Sequence, residues 1–428
     1  MKPESGPDRA APSPLLDRPA TASGHRGGAT SLGRDFILLA TGVGSAQVGG
    51  WTRRMILGWQ VWELTGSPFW VGMVGFFDLA PTILLSPIAG PVIDRSGPVR
   101  VLRATQAANL AQGVLLLVGA WLNLLNLAAL LAFTAGFAVV YAFDGPATNA
   151  ALRRIVGIEA LARAISINSI LNNGALFVAP LVAAFLIRVG GAAGGYAAAA
   201  AGGAVFLGLL LVMKAPADAG LSRASQGTFL EALGSGYAYA AADRRLRSLL
   251  ISFSVVSVGA RSLTYLMPAL AAGLLAGDPD ALAVLLSMLA GGALLAGVLV
   301  GLQGAAVNVG RLLVASLAGA AGCLAAIFAA PSLWLAAVAA FGLGMSLACN
   351  SISTQTAIQT VADQEMNGRV ISLYGMIFRG GPALGSLAAG SLAASLGLPP
   401  VGVAFATAIA WNAWSMRSWW KTSLATSA

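Results

Sequence analysis

Twelve apolar runs recur along this chain. They fall at about 36–63, 68–93, 99–122, 127–152, 162–187 and 192–213, then at about 248–274, 281–304, 311–330, 332–358, 368–393 and 400–420. Each is long enough to cross about 30 Å of hydrocarbon at a helical rise of about 1.5 Å per residue. Charged residues make up only 10% of the chain, where a soluble domain carries about a quarter. A chain so poor in charge cannot coat a surface of its own size with polar groups. With 57% hydrophobic residues and a mean hydropathy of +0.79, the sequence predicts an all-α integral membrane protein of twelve transmembrane helices.

Charge placement orients the spans. Of the 25 Lys and Arg residues, 20 fall in the tails, the central interval and the even-numbered connections. The odd-numbered connections are TGSP (65–68), NLLN (123–126), the stretch after Arg188, GDPD (277–280), PS (331–332) and GLPP (397–400), and they contribute Arg188 alone. The positive-inside rule then places both termini in the cytoplasm of a multi-pass protein of the cytoplasmic membrane. Trp59, Trp62, Trp70, Trp121 and Trp334 fall at predicted outer ends. Trp411, Trp414, Trp419 and Trp420 fall toward the inner end of the last span, as an aromatic belt requires.

Residues 1–34 are rich in Pro, Gly, Ser and Ala and lack an apolar h-region, which predicts a disordered cytoplasmic tail rather than a secretory signal. Residues 35–213 and 248–420 are expected to form two six-helix bundles, and 421–428 a second cytoplasmic tail. The interval 214–247 carries Phe229, Leu233 and Tyr237 at helical spacing, then Arg244, Arg245 and Arg247. That pattern suits an amphipathic helix on the inner leaflet, with a solvated linker as the alternative.

Several function classes drop out. The one histidine, His25, lies in the tail, which removes histidine-based catalysis, zinc ligation and proton relays from the folded part. None of Lys2, Lys214 and Lys421 follows a glycine, so no Walker A loop is present. Cys323 and Cys349 sit in apolar runs and read as small packing residues rather than a disulfide. The net charge of +9 does not gather on an aromatic-studded soluble domain, which argues against nucleic acid. Without a nucleophile–base pair, a metal cluster or a cofactor motif, an enzyme is not expected.

The two halves share a register. TNAALRRIVGIEALARAISI (148–167) aligns without gaps on TQTAIQTVADQEMNGRVISL (354–373), an offset of 206. Thr148/Thr354, Ala151/Ala357, Glu159/Glu365, Arg163/Arg369, Ile165/Ile371 and Ser166/Ser372 are identities. Two six-span repeats related along the membrane normal imply a site between them near the midplane, with rocking about it.

Between the second and third runs the chain reads GPVIDRSGPVR (90–100). This resembles the loop motif of the major facilitator superfamily at Gly90, Asp94, Arg95 and Gly97. Pro98 and Val99 stand where the family carries basic residues, and Arg100 follows as a substitute. ELTGSPFWVG (63–72), the segment 159–168, ARSLTYLMPALA (260–271) and QTVADQEMNGRVISLYGM (359–376) are similar to the enterobactin-exporter-like branch. The resemblance covers about 35–415 and implies a secondary transporter working by alternating access. It also implies that the loop motif helps lock an outward-open state: glycines for close helix approach, Asp94 against a neighbouring helix N-terminus, and Arg95 and Arg100 on acids at the inner rim. An ordinary solvated turn is the other reading. The second-half counterpart GLQGAAVNVGR (301–311) lacks the Asp. The glycine–proline motif of exporters is degraded in GALFVAPLVAA (174–184), and GGPALGS (380–386) is a closer match that serves packing equally well.

Charges inside the spans cost about 2.5–3.5 kcal/mol each on insertion scales, so each needs a reason. Arg261, Arg379 and Asp78 fall mid-span, Asp144 in the inner half of the fourth span, and Arg53 and Arg54 in the outer half of the first. Adjacent residues point about 100° apart, so Arg53 and Arg54 are not expected to face one cavity. Four arginines against two deep acids predict a net positive interior suited to an anionic or polar substrate group, with Arg261 as its principal contact. Structural pairing with Asp144 or Asp78 is the alternative. Asp78 and Asp144 are the candidate proton carriers, with membership of the loop-motif charge network around Arg95 and Arg100 as the alternative for Asp144. Glu63 is expected at the interface. Asn168, Asn172, Asn173, Asn350 and Gln355 are candidates either to line the cavity or to bond between helices.

The expectation is a monomeric twelve-span transporter that exports a small organic molecule, such as a drug, siderophore or secondary metabolite, in exchange for protons. It needs no cofactor and no metal. A nutrient importer and a non-transporting sensor or scaffold of the same fold are the rivals.

Overall fold

The structure, a computed structural model, describes residues 33–214, 229–274, 278–303 and 307–425. Among them the chain is helical nearly throughout, with no strand. In order come α1 (Arg34–Thr65), α2 (Pro68–Ser96), α3 (Pro98–Trp121), α4 (Leu127–Val212), α5 (Phe229–Ala242) and α6 (Arg244–Val256). After α6 a wide π turn (Ser257–Arg261) leads to α7 (Met267–Leu274), α8 (Pro279–Gln303), α9 (Val309–Ala329), α10 (Leu333–Val361), α11 (Gln364–Leu396) and α12 (Leu398–Ala425).

The helical stretch α4 holds three crossings. On α1, Thr52 donates to the Ala179 carbonyl at 3.3 Å, while Gly49 packs against Ala199. Contacts 20 residues apart on α4 thus meet neighbouring turns of α1, so the chain must reverse between them. Gly191, with φ of +62°, marks that reversal. Its partner one repeat later, 206 residues on, is Gly397, with φ of +84° at the turn into α12. Only glycine adopts this backbone without strain. Burial follows the same register: Ala147, Thr148, Ala151 and Leu152 are buried, as are Ser353, Thr354, Ala357 and Ile358.

With α6, the π turn and α7 counted as one interrupted crossing, the chain makes the twelve spans expected. Seven described segments are long and apolar enough to cross a membrane on composition alone, one of them the 50-residue stretch Arg163–Val212. The charged α1, the interrupted α6–α7, α11 and α12 are not among them. Helix starts are set by local chemistry. Asn126, Asp243 and Asn308 each accept a hydrogen bond from a backbone N–H of the first turn, satisfying donors the helix leaves free.

The bundles meet in one half of the molecule. At the end bearing the turns at Gly66, Gly191 and Gly397, α2 packs on α11, α4 on α8, and α1 on α7. Gly72 lies against Ser386 and Gly390, Gly75 against Tyr265 and Ser386, and Gly291 against Phe177. Ser287 donates to the Phe177 carbonyl at 3.2 Å, and Arg188 pairs with Asp280 across the bundles. Toward the opposite end of the same helices, Gly90 on α2, Gly297 on α8 and Gly375 on α11 face open space. The molecule is closed at the first end and parted at the second.

Several local expectations change. Trp59 is buried and donates to Glu63 at 2.6 Å instead of joining an interfacial belt. Trp121, Trp334, Trp411 and Trp414 are exposed, as a belt requires. The side chains of Phe229, Leu233, Trp419 and Trp420 lie outside the described residues. From the linker, α5 docks on α11: Arg369 donates to Ser235 at 2.7 Å, and the Tyr239 hydroxyl donates to Asp363 at 2.8 Å. Tyr237 points away, well exposed.

Candidate functional site

A polar cavity of about 280 Å³ opens inside the first bundle and is walled by α1, α3 and the three crossings of α4. One residue of the second bundle, Arg379, completes its lining. Arg53, Arg54, Asp144 and Asn172 all line it. Arg261 does not.

Both Arg53 and Arg54 face this cavity, contrary to the expectation from their 100° separation. The reason is side-chain length, which lets both guanidiniums reach one face of α4, where Phe137 and Tyr141 lie one turn apart. The Arg53 guanidinium turns onto the Phe137 ring, 3.2 Å from its centroid. Arg54 donates from Nε to Asp78 Oδ1 at 3.1 Å, with its guanidinium 5.0 Å from the Tyr141 ring centroid. Arg379 reaches Tyr141 from α11, at 5.8 Å. Arg53 is 9% exposed and its Nε has no partner.

Asp78 is fully committed. Besides Arg54 it accepts the Tyr265 hydroxyl at 3.4 Å, a bond from the second bundle into the first. Tyr265 reaches it because the span breaks there: Pro268 cannot donate to the carbonyl four residues back and its ring crowds that turn. Residues 264–266 are accordingly held by three-residue turns rather than by helix bonds.

Asp144 sits apart from the arginines. Its Oδ1 accepts Thr105 Oγ1 at 2.9 Å and Gln106 Nε2 at 2.7 Å. No cation lies within ion-pair distance of it among the described residues, so it joins no charge network with Arg95 or Arg100. Gln106 is 1% exposed, and its Oε1 is buried without a partner.

Arg261 belongs to the interior of the second bundle. Its Nη2 donates to the Leu347 carbonyl at 2.8 Å and to Ser351 Oγ. Phe378 lies under the guanidinium at 4.7 Å. Close packing of α11 makes this possible, because Gly381 and Gly385 press on Ser257, Val258 and Ser262 around the π turn. The GGPALGS segment therefore serves helix contact. Asn350, the repeat counterpart of Asp144, is fully buried within α10 with neither side-chain polar atom bonded, and Gln355 is exposed.

The loop motif lies at the parted end. Asp94, Arg95 and Arg100 are exposed, and among the described residues nothing packs on Gly90, so the close helix approach there is not made in this conformation. Gly97 has a conformational role: with φ of +83° it turns α2 into α3. The structure supplies residues the sequence did not single out, namely Phe137, Tyr141, Thr105 and Gln106.

Solved structures share this architecture. The nucleoside transporter NupG aligns with a TM-score of 0.75 at 13% identity, covering 91% of this chain and 100% of that one. A bacterial homologue of the human lysosomal transporter Spinster, in an inward-facing and unoccupied conformation, aligns with a TM-score of 0.69 at 18% identity, covering 92% and 99%. A POT family transporter in complex with 5-aminolevulinic acid aligns with a TM-score of 0.72 at 13% identity, covering 90% and 96%. At these identities the likeness shows the fold. No curated protein matches the chain in sequence at significance. Over residues 35–417 the sequence matches the family described as transmembrane secretion effector. The chain belongs to that family and is a membrane transporter of the major facilitator kind, not an enzyme.

Proposed function

We propose that this transporter exports a small polar or anionic organic solute from the cytoplasm, in exchange for protons, by rocking its two bundles about the polar cavity. The observation that carries this reading is the cavity's excess of cationic groups. Arg54 is neutralised by Asp78, whereas Arg53 and Arg379 have no carboxylate partner among the described residues. Guanidinium groups held on aromatic faces at the wall of a polar cavity suit an anion with bidentate acceptors.

The parted end carries the arginine-rich connections, which the positive-inside rule places in the cytoplasm. The arrangement is then inward-open, with Asp94 and Arg95 disengaged as expected of a lock that acts in the opposite state. Asp78 is the coupling carboxylate: protonating it would release Arg54 and weaken its hold on Tyr265, linking a proton to the contact between bundles. The family's description as secretion effectors supports export, and the segments at 63–72, 159–168, 260–271 and 359–376 support the enterobactin-exporter-like branch. The volume lies near the low end of small-molecule sites, which favours a compact solute over a bulky siderophore.

Loss of preloaded compounds from cells or vesicles, with and without a proton gradient, tests this reading. Faster loss on expression, abolished when the gradient collapses, supports export. Gradient-driven uptake would reverse the direction.

A further inference from the structure

The cavity has two chemically opposite ends. At the level of Phe137 and Tyr141 it presents guanidinium donors, with Arg53 Nε buried and unpartnered. Farther along the same crossing it presents an acceptor, the Asp144 carboxylate. The two donors to Asp144, Thr105 and Gln106 of α3, both reach Oδ1, which leaves Oδ2 without a protein partner among the described residues. Three to seven residues separate these levels along the helix, or about 5–10 Å at about 1.5 Å per residue.

The protein does not let the two ends neutralise each other. Arg53 is held on Phe137 and Arg54 on Asp78, so neither is spent on Asp144. Leaving a carboxylate and a guanidinium unpaired in a buried site is costly, and a ligand that satisfies both recovers that cost. The second bundle offers no such acid, since Asn350 stands at the repeat counterpart of Asp144.

Resting on the transport reading above, we propose that this cavity takes a compact zwitterion, its anionic group at Arg53 and Arg379 and its ammonium group at Asp144. The site therefore selects two charges at a set separation rather than an anion alone.

Binding to the full-length protein in nanodiscs tests this directly. The probes are γ-aminobutyrate, ε-aminocaproate and their longer homologues, with hexanoate and hexylammonium as single-charge controls. Wild-type protein should bind the best-fitting ω-amino acid about ten- to a hundred-fold tighter than hexanoate, the worth of one charge-assisted bond. D144N should abolish that advantage while keeping affinity for hexanoate. R53Q should weaken hexanoate and the amino acids alike, and R379Q, at an exposed position, reports on the same end if R53Q fails to fold. Equal affinity for hexanoate and every ω-amino acid, unchanged in D144N, overturns the two-ended site but leaves export of an anion standing. Binding of none of the zwitterions also overturns it. Failure of gradient-dependent efflux, by contrast, removes the transport reading itself.

Discussion

The Tyr265 hydroxyl lies 3.4 Å from Asp78 Oδ2, so a side chain of the second bundle closes onto an ion pair of the first. Tyr265→Phe keeps the ring and removes this bond, whose net worth is about 0.5–1.5 kcal/mol. The population opened at the closed end should rise about two- to ten-fold. Spin-label distances between the closed-end tips of α2 and α11 measure this, and an unchanged distribution would show that the bond does not hold the bundles together.

Asp78→Asn leaves Arg54 buried with no carboxylate. Breaking one side of a buried pair costs about 3–5 kcal/mol. The unfolding temperature in detergent should fall sharply, and Arg54→Gln combined with Asp78→Asn should restore part of it. A double variant as unstable as the single one would mean that the carboxylate acts through Tyr265 rather than through Arg54.

Gly390 is one of the tight points of the α2–α11 contact. A Cβ there would sit 2.7 Å from the Pro68 carbonyl oxygen. Gly390→Ala should force α2 and α11 apart, at an overpacking cost of about 1–3 kcal/mol. A cysteine placed in the cavity should then become reactive from the closed end. Gly322→Ala on α9, which meets open space, serves as the control and should leave the accessibility pattern unchanged.

Arg261→Ala removes the donor to the Leu347 carbonyl and to Ser351, joining α10 to the interrupted span. The expected effect is on stability, about 1–3 kcal/mol for an orphaned buried group, with substrate KM changed less than about two-fold. A large rise in KM with unaltered unfolding temperature would return Arg261 to the substrate site.

Much of the fold was legible in sequence because a bilayer imposes one rule per span. A run of apolar residues must be helical and long enough to cross, so the twelve runs and the 206-residue register can be read in one dimension. The turns were legible too, since Gly66, Gly97 and Gly397 stand where the backbone requires positive φ. Within the site, Asp144 and Arg379 were found by the cost of a charge in hydrocarbon. Tyr265 lies within ARSLTYLMPALA, where Pro268 three residues later signals the break that frees it.

What the sequence could not supply is the partner of each charge. Cost alone says that Arg53, Arg54 and Arg261 need compensation, and it does not say whether an aromatic ring, a carboxylate or a carbonyl provides it. Those assignments depend on which helix faces which, a matter of packing between residues as far apart as Asp78 and Tyr265, or Arg261 and Leu347. Hydrophobicity determined how many times this chain crosses the membrane. Only the tertiary arrangement decided that one arginine is stapled into a bundle, one is neutralised, and one is left facing a polar cavity without a carboxylate partner among the described residues.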